Sequence, residues 1–379
     1  MSRRKIIFGA VLLVLVTFLT TSAGFLYLMN AWSSDVISTV RVLRALQVVK
    51  ARYVEEVPVE TLMAGSIKGM VNSLNDPHSI YMDAKMFKEF MIETEGSFGG
   101  VGIVIGTKDK LLTVVAPIEG TPGEKAGIKS GDQILKIDGQ DTKDLALDEA
   151  VSKIRGPEGS KVVLTILRGQ ELQEYTLTRS NIQIKTVAGR MLENNIGYIR
   201  IAMFNENTGN DFIHKLQELE QEGLQSLVLD LRDNPGGLLD ESVKVASQFV
   251  PKGPVVSVVT RDGHRETHSS HLPAAKYPVA ILVNGGSASA SEIVAGAAQD
   301  TGVGTLIGTK TYGKGSVQTV IRLDEGSAIK LTIAKYLTPK DRAINGVGIE
   351  PDIQLELTET QDNKDIQLDK AVEVLKSKM

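Results

Sequence analysis

The chain has 379 residues and a mass of 40.9 kDa, room for two or three domains at about 150 residues each. Hydrophobic residues at 42% and charged residues at 23% form a globular mixture, which excludes a largely disordered, collagen-like or coiled-coil chain. With no cysteine, a disulfide framework, a cysteine-ligated zinc, an iron–sulfur cluster and a cysteine nucleophile are excluded as well. Of the 42 basic side chains, Arg3, Arg4 and Lys5 open the chain, which leaves 39 against 46 acidic ones. No basic stripe remains of the kind that binds nucleic acid, so nucleic acid is not expected as a partner.

Ile6–Met29 carries no charge over 24 positions. As a helix this is roughly 36 Å long, against a hydrocarbon core of ~30 Å. With Arg3, Arg4 and Lys5 directly before it, the expectation is a cytoplasmic stub and transmembrane anchor over 1–33. The positive-inside rule then makes this a single-pass cell-membrane protein with its bulk on the extracytoplasmic side. The small, polar run Thr20–Gly24 supports the alternative, export followed by cleavage of a signal peptide.

Residues 34–95 read as a helical segment. Val36, Val40, Leu43, Leu46 and Val49 recur at spacings of three and four. A second pattern runs through Leu62, Ile67, Met70, Val71 and Leu74 to the breaker Asn75-Asp76-Pro77, and a third helix covers Ala84–Glu93. So little interior requires packing on the rest of the chain or on a second copy, so 34–95 is expected to dimerise.

From Ser97 the period changes to two. Gly99-Gly100-Val101-Gly102-Ile103-Val104-Ile105 leads to a strand at Leu111–Ala116, a helical patch at Leu147–Ile154 and a strand at Lys161–Arg168. Between them runs Ala126-Gly127-Ile128-Lys129-Ser130-Gly131-Asp132-Gln133-Ile134-Leu135-Lys136-Ile137-Asp138-Gly139. Residues 97–180 resemble a PDZ domain with the strand order of bacterial proteases. By that resemblance the amides of Gly99, Gly100, Val101 and Gly102 capture a peptide carboxylate. The peptide adds as an edge strand, and Ile103 and Ile105 line a side-chain pocket. Arg155, after the Leu147–Ile154 helix, is a candidate to signal peptide binding; the alternative is a solvated charge favoured by the helix dipole.

Residues 181–358 alternate strand and helix. Ile196–Ile201, Leu227–Leu231 and Val279–Val283 are strands, and helices are expected at Asn207–Glu222, up to Phe249 and over Ala290–Gln299. Continuous apolar strands running into Asn234-Pro235-Gly236-Gly237 and Asn284-Gly285-Gly286 indicate a parallel, helix-covered sheet. Residues 359–379 close the chain as a helical segment.

Two segments carry candidate chemistry, Gly285–Glu292 and Thr311–Gln318. Ser289 sits at a strand-to-helix turn and can be a nucleophile, or, three residues before Glu292, only a helix cap. His264, His268 and His271 lie in a polar stretch read as a solvated loop, while His78 and His214 read as structural. No Gly-x-Ser-x-Gly turn supports a Ser-His-Asp triad; the His-x-x-x-His spacing of His264 and His268 would make a metal pair only on a helix and has no carboxylate placed in zincin fashion, so neither a metal nor a cofactor is expected. Lys314, between two glycines, is the alternative base if burial lowers its pKa by about three units. It can also be a plain loop charge or, with Lys310, bind phosphate, although no Walker-type pattern surrounds it.

These motifs, together with Asp230-Leu231-Arg232-Asp233-Asn234-Pro235-Gly236-Gly237 and Leu74-Asn75-Asp76-Pro77-His78-Ser79, resemble the carboxyl-terminal processing peptidases, also called tail-specific proteases. The likeness runs in the family's order from about residue 40 to 357. It implies that Ser289 is the nucleophile, Lys314 the general base and Gln318 the residue that orients the lysine. Ala290 and Gly236 or Gly237 would then supply the oxyanion amides. The spacings, 25 between Ser289 and Lys314 and four between Lys314 and Gln318, fit the family.

The expected fold class is therefore α+β multidomain. An N-terminal transmembrane helix and a helical segment precede a β-rich PDZ domain with helices and an α/β protease core with a parallel-type, helix-covered, crotonase-like sheet. The expected function is a membrane-anchored serine endopeptidase that reads substrate C-termini. Its expected partners are protein or peptide tails, a second copy in a homodimer, a regulatory protein and the membrane. The alternative is a catalytically inactive PDZ adaptor. A histidine-dependent PDZ protease lacks its Gly-Asn-Ser-Gly-Gly turn, and a crotonase-like acyl transferase needs no serine–lysine pair.

Overall fold

The computed structural model describes residues 3–108, 111–143, 145–357 and 364–379, with the side chains of 3–11 and 26–36 outside the description. The chain divides into two compact units, Met1–Asn75 and Asp76–Met379. The first contains helices α1 (Arg3–Arg52) and α2 (Val59–Asn72). Here the expected membrane anchor is corrected: among the described residues, no helix is long and apolar enough to cross a membrane. Helix α1 does not end near Met29 but runs on through Arg41, Arg44, Lys50 and Arg52. In its described apolar part, Thr17, Thr20 and Thr21 return their hydroxyls to carbonyls one turn back, at 2.8–2.9 Å. The flanking side chains Arg3, Arg4 and Lys5 lie outside the description. The transmembrane element and the single-pass localisation fall together.

The second unit opens with β1 (Ile80–Met82) and α3 (Ala84–Glu95). Asp83 caps α3 by accepting the Met86 amide at 2.9 Å, and Gly96 ends it at φ +67°, a conformation that favours glycine. There follow β2 (Ser97–Gly100), β3 (Ile103–Lys108), β4 (Leu111–Pro117), the short α4 (Pro122–Lys125), β5 (Gln133–Ile137) and β6 (Gln140–Asp141). Helix α5 (Leu147–Ile154), β7 (Lys161–Arg168), β8 (Glu171–Thr178) and β9 (Ser180–Gln183) complete this region. β3, β4, β5, β7 and β8 pair in that order as an antiparallel sheet, while β2 pairs with β9. Val114, Ile134, Ile137, Leu164 and Ile166 meet Ala150 and Ile154 of α5 in one buried cluster. Asp132, in the Gly-Asp turn, receives a two-pronged bond from Arg168, both distances 2.7 Å.

The third region contains β10 (Val187–Met191), β11 (Ile196–Ile201), α6 (Thr208–Gln221), β12 (Ser226–Asp230), α7 (Leu239–Ala246), β13 (Gly253–Thr260) and β14 (Arg265–Ser270). β15 (Val279–Val283), α8 (Ala290–Thr301), β16 (Gly304–Gly308), β17 (Ser316–Arg322), β18 (Ala328–Leu337), β19 (Ile353–Gln354) and α9 (Ile366–Lys376) follow. One sheet has the order β10-β11-β12-β15-β16-β19, parallel except for β10. Leu227, Leu229 and Ile281 pack against α6, α7 and α8 on one face. Val228, Ala280 and Leu282 pack against Ala371 and Leu375 of α9 on the other. Both faces are dry, which is why β12 and β15 read as unbroken apolar runs.

A second, antiparallel sheet joins β1, β18, β13 and β14, with β17 also paired to β18. This corrects the solvated-loop reading at His268, while His264 and His271 lie exposed outside the strand. Arg265–Ser270 is a strand, because its polar residues find a partner ladder in β13 and one wet face at the sheet edge.

Arg232 ties the end of β12 to the chain terminus. Its guanidinium bonds both oxygens of the buried Asp230 (2.9 and 2.6 Å), both oxygens of Asp365 (3.0 and 2.8 Å) and Oε1 of Gln367 (3.1 Å). Burial alone would raise the Asp365 pKa, but the Arg232 bonds and charge outweigh it and hold it below the ordinary value. Replacing Arg232 with Met strands Asp230 in the interior and should lower unfolding free energy by about 3 kcal/mol. A group with a depressed folded pKa stabilises fully above its unfolded value of about 3.9, and that contribution is lost as pH falls through the folded value. Asp365→Asn should therefore weaken the protein at pH 7 and flatten the acid limb of its stability curve, read by denaturant titration across pH.

Candidate active site

Strands β12 and β15 deliver two loops at the same edge of the parallel sheet, 231–238 and 284–289. Hydrogen bonds join them: Ser287 Oγ donates to Leu231 O (2.7 Å), the Ala288 amide to Asn234 O (3.0 Å) and the Asp233 amide to Asn284 Oδ1 (2.9 Å). Ser289 follows at φ +55°, ψ −114°, where a side chain with Cβ is strained, and it stands at the N-terminus of α8. The turn aims this half-buried serine into a cavity of about 380 Å³. Gly236, Gly237, Lys314 and Gln318 line the same cavity.

Glu292 holds the arrangement together. Its fully buried carboxylate accepts the Ser289 amide (2.9 Å), the Thr311 hydroxyl (2.5 Å), the Gly313 amide (2.8 Å) and the Lys314 amide (2.9 Å). The serine turn and the lysine loop thus share one anion. Tyr336 adds a second tie, its hydroxyl reaching the carbonyl oxygens of Ser289 (3.1 Å) and Lys314. Gly313 and Gly315 are needed for close packing: a Cβ on either would stand within 2.9 Å of the backbone of the 345–348 turn. Asn345 Oδ1 accepts the Gly315 amide at 3.1 Å. The turn fixes where the lysine leaves the loop.

Burial foremost, and then the charge of Lys330, pulls the Lys314 pKa below the ordinary lysine value against the opposing pull of Asp76 and Glu292. The His78 pKa is also lowered, by burial and then by Lys314. Gln318 donates Nε2 to Ser316 Oγ (2.9 Å) and Thr332 Oγ1 (3.1 Å), beside a register shift in β17. The amide of Gly236 donates to Asn234 Oδ1 at 2.9 Å. Among the described residues, the amides of Gly237 and Ala290 have no acceptor. A Cβ on Gly236 would lie 2.9 Å from the Ala290 nitrogen, so the glycine loop and the α8 N-terminus are in contact.

The residues expected to bind peptide lie apart from this cavity. Gly99 and Gly100 belong to β2 and face Asn181 and Ser180 of β9. The carbonyls of Val101 and Gly102 accept the amides of Gly123 (2.7 Å) and Ile118 (2.8 Å), while their own amides have no acceptor among the described residues. Ile103 and Ile105 pack on the cluster below α5. Arg155 is half-buried with its guanidinium 4.3 Å from the Phe98 ring centre, a stack rather than a solvated charge. Glu93, Phe90, Lys330, Tyr336 and Asn345 went unseen in the sequence. The capping-box spacing did mark Glu292, but only as a cap. Among the described residues, no cluster of three or more histidine or acidic side chains is placed to hold a metal.

Residues 195–355 match the model of peptidase family S41, residues 113–168 that of a PDZ domain, and residues 23–86 that of the activating protease CtpB N-terminal domain. The chain is similar to a carboxy-terminal-processing protease of Bartonella bacilliformis, 43% identical over 320 residues that cover 81% of this chain and 73% of that protein. It is 39% identical to carboxy-terminal processing protease CtpA of Bacillus subtilis over 317 residues, covering 83% and 68%. A carboxyl-terminal-processing protease of Synechocystis is 39% identical over 324 residues, covering 82% and 76%.

Glu292→Gln tests the shared anion. A carboxamide presents N–H groups where four donors converge, leaving two of them unmatched at about 1–3 kcal/mol. We expect lower thermal stability and amide exchange at Gly313 or Lys314, whichever faces the new N–H group, faster by about tenfold or more, measured by NMR or mass spectrometry.

Proposed function

The chain belongs to the carboxy-terminal processing proteases, serine peptidases of family S41 with a PDZ domain, and on that premise we propose a Ser289–Lys314 dyad as its catalytic centre. The observation that carries this reading is a strained serine at a helix N-terminus, sharing one cavity with a lysine of lowered pKa. Neutral Lys314 takes the Ser289 hydroxyl proton as Oγ attacks the peptide carbonyl. The amides of Ala290 and Gly237 receive the oxyanion, while Gly236, its own amide bonded to Asn234, shapes the loop between them. Lys314 then protonates the leaving amine, and water repeats the sequence on the acyl-enzyme. Gln318, whose Nε2 is held by Ser316 and Thr332, turns its carbonyl oxygen to the lysine ammonium.

Substrates on this reading are protein or peptide C-terminal tails. The tail pairs beside β3, its carboxylate on the Val101 and Gly102 amides and its side chain against Ile103. Arg155 reports occupancy by leaving the Phe98 ring. Residues 34–95 serve dimerisation, supported by the exposed apolar positions Val40, Leu43 and Val49. The inactive-adaptor alternative has no use for a lysine of lowered pKa beside the serine turn.

Ser289→Ala and Lys314→Ala should each cut turnover of an unfolded protein substrate by about 10⁴-fold or more without lowering the melting temperature. Retained turnover in Ser289→Ala refutes the dyad. Because the base must be neutral, kcat/KM should rise with pH on a limb lying below the ordinary lysine value of about 10.4. Amidating the C-terminus of a model substrate should slow cleavage, and Arg155→Ala should lower turnover while Ser289 still reacts with a small acylating probe. Equal rates for amidated and free-acid substrates would remove carboxylate reading by the PDZ domain.

A further inference from the structure

The cavity holds a second lysine. Lys330 of β18 lines it with Lys314, and its ammonium lies 5.0 Å from the centre of the Phe90 ring. Glu93, one turn after Phe90 on α3, lines the same space. Burial pulls the Lys330 pKa down as it does that of Lys314, and the Glu93 charge, with the aromatic face, opposes that pull. Neither lysine makes an ion pair among the described residues. Of the carboxylates around Lys314, Glu292 is occupied by four neutral donors, and Asp76 by the Ser79 hydroxyl (2.6 Å) and the His78 amide (3.1 Å). Two like charges in one small cavity cannot both be held cheaply, so a proton on either lysine disfavours a proton on the other.

We propose that Lys330 is a positioning residue of the Ser289–Lys314 dyad: its ammonium, over the Phe90 ring in the cavity that Glu93 and Lys314 also line, disfavours the proton on Lys314 and so leaves that amine free to act as base. The inference rests on the dyad reading. The charged and titratable groups that bear on the pair are Asp76 and His78 before β1, Glu93 on α3, Glu292 on α8, and Tyr336 on β18. The Tyr336 pKa is raised well above its ordinary value by burial, and then by Glu292, so its hydroxyl stays neutral; the lowered His78 adds no cation at neutral pH. Lys330 is then the principal positive charge acting on Lys314. The Lys330 charge lowers Lys314, second only to burial; burial lowers Lys330 as well, and Glu93 opposes it there.

The experiment is the pH profile of kcat/KM for the full chain, its Lys330→Met, Lys330→Gln and Lys330→Arg variants, and Lys314→Ala. Removing the Lys330 charge should move the ascending limb to higher pH by about one unit, so that activity on the acid side falls about tenfold and recovers toward the alkaline plateau. Lys330→Arg should restore the limb. Melting temperatures identify any variant that fails to fold. A ¹³C titration of the lysine side chains, with the Lys314 signal assigned by its loss in Lys314→Ala, reads the same shift without turnover. A limb, or a Lys314 titration, unchanged in both neutral variants overturns the proposal. So does a uniform loss at all pH values that arginine fails to rescue. Activity retained in Lys314→Ala instead refutes the dyad itself, an outcome that the Lys330 variants cannot mimic.

Discussion

One buried carboxylate governs the catalytic half of the molecule. Glu292 stands at the third position of α8, where the helix N-terminus favours an anion, and it has no exposed surface. A charge placed there would destabilise the fold by several kcal/mol if left unsatisfied. The chain meets that demand from two directions, with the Ser289 amide inside the same turn and three donors from the 311–314 loop, about 20 residues downstream. Satisfying the anion and bringing the lysine loop to the serine turn are therefore one event. The strained φ of Ser289 persists because its amide, its carbonyl and the following helix are all held.

The parallel sheet decides where that event takes place. β12 and β15 are adjacent and parallel, so their outgoing loops must lie side by side at the carboxyl edge, and a helix N-terminus must follow each. Arg232 fixes the first loop at its base, through Asp230 on the strand and Asp365 at the start of α9. Helix α9 then covers the face of the sheet that α6, α7 and α8 leave open. The chain terminus is thus structurally tied to the loop that carries Gly236 and Gly237, although it lies far from both in sequence.

Local patterns were legible where the chemistry is local. Continuous apolar runs gave β11, β12 and β15 within a residue or two, the Leu147–Ile154 patch gave α5 with its observed bounds, and glycine-rich turns marked both loops of the site. Patterns failed where the deciding contact is distant. Arg265–Ser270 is polar, and only its pairing with β13 makes it a strand. Ile6–Met29 looked like a bounded apolar span, yet α1 continues into a charged stretch, and continuity is not a property of a hydropathy window. Glu93, Phe90 and Lys330 carry no motif, because they meet only when α3 folds back over β18. Arg155 was weighed as a solvated helix-end charge, but the ring of Phe98, more than 50 residues earlier, gives it a partly buried stack.

The same contrast bears on the base that the proposed dyad requires of Lys314. Burial alone discourages an ammonium, yet a carboxylate at contact would restore it, and two acids, Asp76 and Glu292, lie near enough to Lys314 to act on it. Each acid is instead engaged by backbone amides and hydroxyls, neutral donors that satisfy its oxygens without bringing a positive charge of their own. Such donors hold geometry as an ion pair would; the two acids still pull the Lys314 pKa up, but desolvation and the field of Lys330 outweigh them. Had evolution fastened the 311–314 loop with a Lys314–Glu292 ion pair, the loop would be equally fixed and the base would be protonated. The backbone bonds to Glu292 are what let one residue position Lys314 without neutralising its chemistry.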